Sequence, residues 1–207
     1  MKSLKNFTHT YLTDETLSIL WGGTPDSRHG KIKRLLAQGD LLHIRRGVYC
    51  LADKKPHPFE LAQYIYGPSY ISLESALSYH QLIPEAVYTV TSVTSKRSKE
   101  FSTPLGMFSF QHVPPDYLLT EVTLVNEGGD AFFMAKPWKA ICDYVFCYKK
   151  EWDSIVPLCD SLRIEPESLS FLREEDIVIL EDYYQHSRMQ RFLKGVQKDL
   201  KRMPHEY

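Results

Sequence analysis

The sequence has few of the features that mark secreted, membrane-spanning or disulfide-stabilised proteins. No C-x-x-C pair is present, and a chain of 207 residues can bury a sufficient core without disulfides, so we expect reduced thiols. The first residues lack the apolar segment of a signal peptide, and no apolar run approaches the length of a membrane span. We therefore expect a cytoplasmic protein without membrane association. The only cysteines are Cys50, Cys142, Cys147 and Cys159.

Familiar catalytic motifs are also missing. The sequence contains no G-x-S-x-G, P-loop, dinucleotide-binding G-x-G-x-x-G or H-E-x-x-H segment. Carboxylate-x-lysine pairs, which occur in some nucleases, are found at Asp53–Lys55 in a predicted linker and at Asp199–Lys201 in a predicted helix. A further acid that would help either pair hold a divalent metal is not evident. We expect no enzymatic activity, cofactor or metal site, and a DNA-acting nuclease is the weaker alternative.

Charge is unevenly distributed, although the formal net charge is only -1. Residues 1–57 contain ten lysines and arginines against five acids, whereas residues 151–185 contain ten acids against two arginines. Basic residues return from Arg188 to Arg202. Cations concentrated at one end favour a polyanionic partner there, while an acidic surface repels phosphates. We expect the acidic segment to face away from any bound duplex.

Apolar spacing predicts two short helices near the start of the chain. Leu4, Phe7 and Tyr11 recur at intervals of three and four residues, which is typical of a helix face. Thr13 is a favourable N-cap for a second helix, and Gly22–Gly23 would terminate it.

A third helix is bounded by clearer signals. Thr24 can cap its N-terminus, and Pro25 occupies the first helical position, where its missing N–H costs nothing. Gly39 is suited to end the helix in the left-handed conformation. Ile32 and Leu35–Leu36 give the helix an apolar face.

A basic hairpin follows this helix. Leu41–Arg45 and Val48–Leu51 are strand-like segments on either side of Arg46–Gly47, a two-residue turn with glycine where a positive φ is needed. The order of helix, glycine turn, capped helix and basic hairpin matches a winged helix-turn-helix. We therefore predict that residues 1–55 form such a DNA-binding domain.

The remaining residues predict a second unit. Lys54–Pro58 is a candidate linker, and residues 56–207 are expected to form a mixed α/β C-terminal domain, so that the whole chain is α+β. Helices are predicted from residues 59, 72 and 137, and again from about residue 150 to 200 with a turn near residue 164. Strands are predicted over residues 87–94, 107–113 and 118–125.

The outward face of the third helix is the predicted contact surface for double-stranded DNA. When the apolar residues of this helix face the core, Ser27, Gly30 and Arg34 point directly away from it. Long cations on such a face reach phosphates and guanine edges, and a glycine permits close approach of the backbone. The candidate DNA-binding residues, which include the cap, the first turn and the hairpin tip, are Thr24, Ser27, Arg28, Gly30, Lys31, Lys33, Arg34, Arg45 and Arg46.

The sequence leaves several functional assignments open. The basic helix face could be merely solvated, or the domain could dock proteins instead of DNA. Lys96–Lys99 could be a solvated loop or a second DNA contact. The segment Ser72–His80 is interpreted as structural, because nothing pairs its polar residues with a nucleophile or a metal.

Three blocks of sequence resemble a known family. Leu35–Tyr49 is similar to the L-x-x-x-G-x-L-x-x-(hydrophobic)-x-R-G-(hydrophobic)-Tyr signature of AbiEi-family antitoxins of type IV toxin–antitoxin systems. Tyr70–Leu77, with His80 and Leu82, is similar to that family's next block, and Ala135–Asp143 to its later A-x-P-x-(K/R)-A-(hydrophobic)-x-D block. The resemblance runs from about residue 13 to about residue 147.

The resemblance implies two roles. An N-terminal winged-helix domain would repress its own operon by binding inverted repeats, as a monomer or a dimer on DNA. A C-terminal domain would counteract a nucleotidyltransferase toxin. Family members without a toxin gene make a stand-alone regulator the alternative.

Overall fold

The computed structural model describes residues 10–54, 56–170 and 174–202, whose helices and strands form an α+β arrangement around two β-sheets. The first sheet has three antiparallel strands in the order β1-β3-β2 and carries two helices. Its elements are β1 (Tyr11–Thr13), α1 (Asp14–Trp21), α2 (Pro25–Gln38), β2 (Leu41–Arg45) and β3 (Val48–Leu51).

Most of these N-terminal elements begin and end where the sequence predicts them. Both predicted caps form, since Thr13 Oγ1 accepts a hydrogen bond from Thr16 N and Thr24 Oγ1 accepts one from Ser27 N. The predicted first helix is wrong at Tyr11, which begins a strand and pairs with Cys50 of β3. Its other two marker residues, Leu4 and Phe7, lie outside the described residues. Partners distant in sequence decided the conformation of Tyr11, and local apolar spacing carries no information about them.

The three-stranded sheet is covered on both faces. In β3, Tyr49 and Leu51 point into a small core that also contains the apolar faces of α1 and α2. The alternate residues of the same strand, Val48 and Cys50, join the larger core formed with the rest of the chain. This arrangement explains why all four residues of β3 are buried instead of every second one. The N-terminal elements therefore rest on the remainder of the chain through the back of their sheet.

The second sheet is mixed and has six strands in the order β6-β7-β5-β4-β9-β8. β5 runs parallel to β7, and β4 parallel to β9, while the other neighbours are antiparallel. The strands are β4 (Ser69–Ile71), β5 (Thr89–Thr94), β6 (Lys99–Thr103), β7 (Gly106–His112), β8 (Val122–Glu127) and β9 (Asp130–Ala135). The helices of this part are α3 (Pro58–Tyr66), α4 (Leu73–Tyr79), α5 (Pro137–Cys147), α6 (Ile155–Leu162), α7 (Pro166–Ser170), α8 (Glu174–Tyr183) and α9 (Ser187–Leu200).

The sequence located the helices of this part better than its strands. Helices start near residues 59, 72 and 137 as predicted, and Arg163 ends α6 in the left-handed conformation at the predicted turn. The strand predicted over residues 118–125 is wrong in its first half, because Glu121 has a φ of 55° and only the segment from Val122 onward is extended. Strands β4, β6 and β9 were not predicted. Within the described ranges, no helix combines the length and apolarity needed to cross a lipid bilayer.

Candidate nucleic-acid interface

Helix α2 presents the predicted contact face to solvent. Ile32 is buried, and Leu35 and Leu36 pack against the small core. On the other side of the helix, Ser27, Gly30, Lys33 and Arg34 are exposed. The helical wheel drawn from the sequence therefore describes the observed orientation of this helix correctly.

Two of the exposed cations on this face have no hydrogen-bond or ion-pair partner among the described residues. Within residues 10–54, 56–170 and 174–202, Lys33 and Arg34 form no hydrogen bond or ion pair. An exposed guanidinium with free donors can form a bidentate pair with a guanine edge or a phosphate, and a lysine supplies a point charge. These two side chains can reach a ligand without breaking an internal contact.

Gly30 lies in the middle of the same face, and the protein itself does not require a glycine there. A Cβ built at this position meets no atom within 4 Å. Glycine in a helix interior destabilises it by roughly 0.5–1 kcal/mol relative to alanine. Internal packing does not explain this glycine. Its place on an exposed helix face is consistent with the close approach of a binding partner to the helix backbone.

Arg28 and Lys31 are engaged within the chain. Arg28 Nη1 donates hydrogen bonds to the carbonyl oxygens of Gly22 (3.2 Å) and Gly23 (2.7 Å), which form the turn between α1 and α2. Lys31 Nζ lies 3.9 Å from the centroid of the Trp21 ring, and partial burial followed by the nearby charge of Arg34 lowers its pKa. Both cations hold α2 against α1, a role that the sequence did not indicate because it depends on the turn bringing the helices together.

The N-terminus of α2 is poorly suited to bind a phosphate, although the candidate DNA-binding residues include its cap and first turn. Thr24 is exposed, and its hydroxyl oxygen accepts the capping hydrogen bond from Ser27 N at 3.3 Å. A cleft of about 310 Å³ beside this end is lined by both Asp14 and Asp26, together with Arg28. Two carboxylates near the helix end oppose an anion, so the middle of the helix is the better phosphate-contacting region.

The β2–β3 hairpin brings a further cation to the surface. Gly47 adopts a φ of 76°, as the turn requires, and Arg46 at the tip is exposed. Arg45 is only half-buried, but its Nε atom is enclosed and has no hydrogen-bond partner in the described part of the chain. Of the two predicted arginines, Arg46 is the more exposed and is better placed to contact a ligand.

The segment Ser72–His80 has a structural role, as the sequence interpretation proposed. Ser72 Oγ donates to Asp143 Oδ2 at 2.7 Å, and His80 Nε2 lies 2.8 Å from the carbonyl oxygen of Ala135. Burial lowers the pKa of His80, which favours the neutral ring. These side chains tie α4 to α5 and β9.

A buried ionic network at the centre of the larger core was not found by sequence reasoning. Lys139 and Asp143, one turn apart on α5, are fully buried, and Lys139 Nζ lies 2.6 Å from Asp143 Oδ1. Tyr70 and Tyr184 both donate to the Asp143 carboxylate, and burial, followed by that carboxylate, raises the pKa of both phenols. The signal available in the sequence was a lysine and an aspartate that lie four residues apart on an otherwise apolar helix.

Of the two nuclease-like pairs, only Asp199–Lys201 lies wholly within the described residues, because Lys55 of the other pair falls outside them. Asp199 Oδ2 accepts a hydrogen bond from Ile155 N at 3.1 Å, so this carboxylate caps α6. In the ranges that the structure describes, no group of three histidine, cysteine or acidic side chains is arranged to hold a metal ion.

Comparison of the chain with protein-family models and with curated proteins finds no match. What the α2 face can bind therefore follows from its geometry and charge.

Proposed function

We propose that this protein is a DNA-binding transcriptional regulator whose N-terminal elements form a winged helix-turn-helix. In this proposal α1 and α2 are the helix-turn-helix, α2 enters the major groove, and the β2–β3 hairpin is the wing. The observation that carries the proposal is the solvent-facing set of Gly30, Lys33 and Arg34 on α2, in which both cations lack an internal partner within the described chain.

In this proposal some residues contact DNA and others fix the orientation of α2. Arg34 is the proposed base-reading residue, because its guanidinium can donate two hydrogen bonds to the O6 and N7 atoms of a guanine. Lys33 and Arg46 are the proposed phosphate contacts. Arg28 and Lys31 act through the orientation of α2, since their charged groups are occupied by the turn carbonyls and by the Trp21 ring. A docking surface for proteins would expose apolar side chains here, whereas the outward face of α2 is polar.

The experiment is a salt titration of binding. A fluorescent duplex from the region upstream of the protein's own gene, and a scrambled duplex of equal length, are titrated with the full-length chain. We expect Arg34→Ala to lose about 1–3 kcal/mol on the specific duplex and to discriminate less against the scrambled one. Lys33→Ala should weaken binding to both and reduce the salt slope by roughly one.

A matched control removes a cation elsewhere on the surface. Lys149 is exposed after α5, and Lys149→Ala should bind both duplexes like the parent. Parent-like binding by Arg34→Ala and Lys33→Ala would rule out α2 as the interface. Absence of binding to either duplex would instead favour a protein-docking surface.

The antitoxin role is a second proposal, supported by the sequence resemblance alone. The AbiEi-like blocks suggest that residues 56–207 counteract a nucleotidyltransferase toxin. A nucleotidyltransferase-like reading frame next to this gene, and growth rescue when the two are co-expressed, would support the role. Persistent toxicity in the presence of the full-length protein would contradict the antitoxin role and favour a stand-alone regulator.

A further inference from the structure

The β5–β6 turn, here residues 96–99 and so including Lys99 at the start of β6, carries a dense cluster of cations outside the α2 face. Lys96, Arg97 and Lys99 are all exposed, and the acidic Glu100 follows them directly in the sequence. Sequence reasoning left this turn open between a solvated loop and a ligand contact. The structure adds three observations on its rigidity, its free donors and its position.

The backbone of the turn is fixed by its neighbours. His112 N donates to Ser98 Oγ at 3.0 Å, and His112 Nδ1 lies 3.0 Å from the carbonyl oxygen of Lys96. Lys96 N also donates to Thr94 Oγ1 at 3.2 Å. Because the turn is hydrogen-bonded to both β5 and β7, its side chains have a defined position. Binding a ligand therefore costs little backbone entropy.

The cations of the turn differ in their availability. Lys96 Nζ donates to the carbonyl oxygen of Gly67 and lies 5.1 Å from the Tyr66 ring centroid, so it is occupied. Arg97 has no hydrogen bond or ion pair with any described residue, and the ammonium of Lys99 touches only the Phe101 ring, at 5.0 Å. Two positive groups therefore remain without an acidic partner in the described chain.

The turn lies on the side of the large sheet that meets the N-terminal elements. β6 is an edge strand of the six-stranded sheet, β2 is an edge strand of the three-stranded sheet, and the two strands are in contact. Phe101 of β6 packs against the core that contains Ile44 and Val48 of the hairpin. The strand that follows the basic turn is thus packed beside the hairpin that carries Arg46.

We propose that Arg97 and Lys99 form a second contact with the DNA backbone, which extends the footprint from the hairpin onto the β5–β6 turn. This inference rests on the proposed DNA-binding function. Because Arg97 and Lys99 lie beside the hairpin and not on the helix that enters the major groove in our proposal, they contact phosphates and bind all sequences alike. The larger part of the chain then contributes directly to affinity, and the N-terminal elements contribute the specificity.

The test uses the full-length double variant Arg97→Ala/Lys99→Ala on the same specific and scrambled duplexes. We expect the plot of log affinity against log salt to become shallower by about two units, with the ratio of specific to scrambled affinity unchanged. Arg97→Lys/Lys99→Arg keeps both charges and should retain the parent slope. Thermal melting of each variant checks that the fold is intact.

The matched control removes two exposed lysines from other elements. Lys149 follows α5, and Lys198 lies on α9, a helix that packs with α5, α6 and α8. Lys149→Ala/Lys198→Ala has the same charge as the test variant and should keep the parent slope. An equal loss of slope in both variants would show a general charge effect and overturn the inference.

The remaining outcomes separate this inference from the function on which it rests. If the parent binds DNA through Arg34 and the Arg97→Ala/Lys99→Ala variant keeps its slope, only the second contact is wrong. If the parent binds neither duplex, both the DNA-binding proposal and the second contact fail.

Discussion

Arg28 Nη1 lies 2.7 Å from the carbonyl oxygen of Gly23, so the second residue of the turn between α1 and α2 is held by a side chain from the first turn of α2. The same nitrogen donates to the carbonyl oxygen of Gly22 at 3.2 Å. Carbonyl groups beyond the end of a helix lack intrahelical partners, and a guanidinium is well suited to satisfy two of them. The angle between the two helices is consequently linked to one arginine.

The first prediction is that Arg28→Ala acts on DNA binding through this angle. We expect a loss of about 1 kcal/mol in the free energy of unfolding, since a partly exposed hydrogen-bonded group is removed. DNA affinity should fall while the salt slope stays close to that of the parent, because Arg28 is not a phosphate contact in our proposal. Denaturation and salt titration measure the two effects, and a slope reduced as much as by Lys33→Ala would make Arg28 a direct contact.

The second prediction separates stability from binding at Gly30. Gly30→Ala should raise the free energy of unfolding by roughly 0.5–1 kcal/mol, because alanine is the better helix former and the new methyl group meets no atom. The same methyl group should weaken DNA binding if the helix backbone approaches the duplex closely. Urea denaturation and duplex titration on one preparation give both values. A stabilised variant with parent affinity would show that this part of α2 does not approach DNA.

Local signals explain why the N-terminal elements were predictable. The boundaries of α2 were set by a threonine cap, a proline at the first position and Gly39, which does adopt a φ of 74° at the helix end. Each of these signals lies within a few residues of the boundary it controls. The exposed face of α2 followed from the positions of its three apolar residues, so most of the candidate interface could be derived from the sequence.

Features that depend on distant partners could not be derived in this way. β1 exists because Tyr11 meets Cys50, and β9 pairs with β4 through Ile71 and Met134. The engagement of Arg28 likewise depends on how the glycine turn folds back. A sequence pattern gives the type and spacing of residues, but it does not contain the pairing of segments far apart in the chain.

The third prediction concerns the buried pair of Lys139 and Asp143. Lys139→Met leaves an uncompensated carboxylate in the core, so we expect a loss of about 3–5 kcal/mol in the free energy of unfolding. Tyr184→Phe removes a hydroxyl that contacts both charged groups and should cost about 2 kcal/mol. Urea denaturation provides the measurement, with the exposed Lys149→Met as the control. A loss of less than about 1 kcal/mol for Lys139→Met would mean that the pair does not stabilise the fold.

The fourth prediction is a dependence of stability on pH at His80. Burial lowers the pKa of this side chain in the folded protein below the ordinary value of 6.5. As the pH falls through 6.5 the unfolded chain takes up a proton before the folded protein does, so the folded state loses stability in acid. His80→Gln can still donate to the Ala135 carbonyl and should show a smaller fall in melting temperature between neutral and mildly acidic pH. An unchanged pH profile would assign the acid sensitivity to other groups.

The last prediction concerns the attachment of the N-terminal elements to the rest of the chain. The Tyr11 ring stacks on Tyr64 of α3 at a centroid distance of 4.5 Å, and its hydroxyl donates to the carbonyl oxygen of His57 at 3.1 Å. With Val48 and Cys50, Tyr11 forms the back of the three-stranded sheet, which a fragment ending near residue 55 would expose to water. We therefore expect such a fragment to bind DNA more weakly than the full-length chain and to unfold more easily.

Variants of Tyr11 test this attachment without cutting the chain. Tyr11→Ala should lower the free energy of unfolding by about 3–5 kcal/mol, because it removes a buried ring. Tyr11→Phe should lower it by about 1 kcal/mol, because it removes only a hydroxyl. If the attachment also fixes the position of α2 relative to the β5–β6 turn, Tyr11→Ala should bind DNA with a shallower salt slope, as we expect for Arg97→Ala/Lys99→Ala. Parent-like stability of Tyr11→Ala would mean that the two parts of the chain fold independently, in which case the isolated N-terminal fragment should unfold no more easily than the full-length protein.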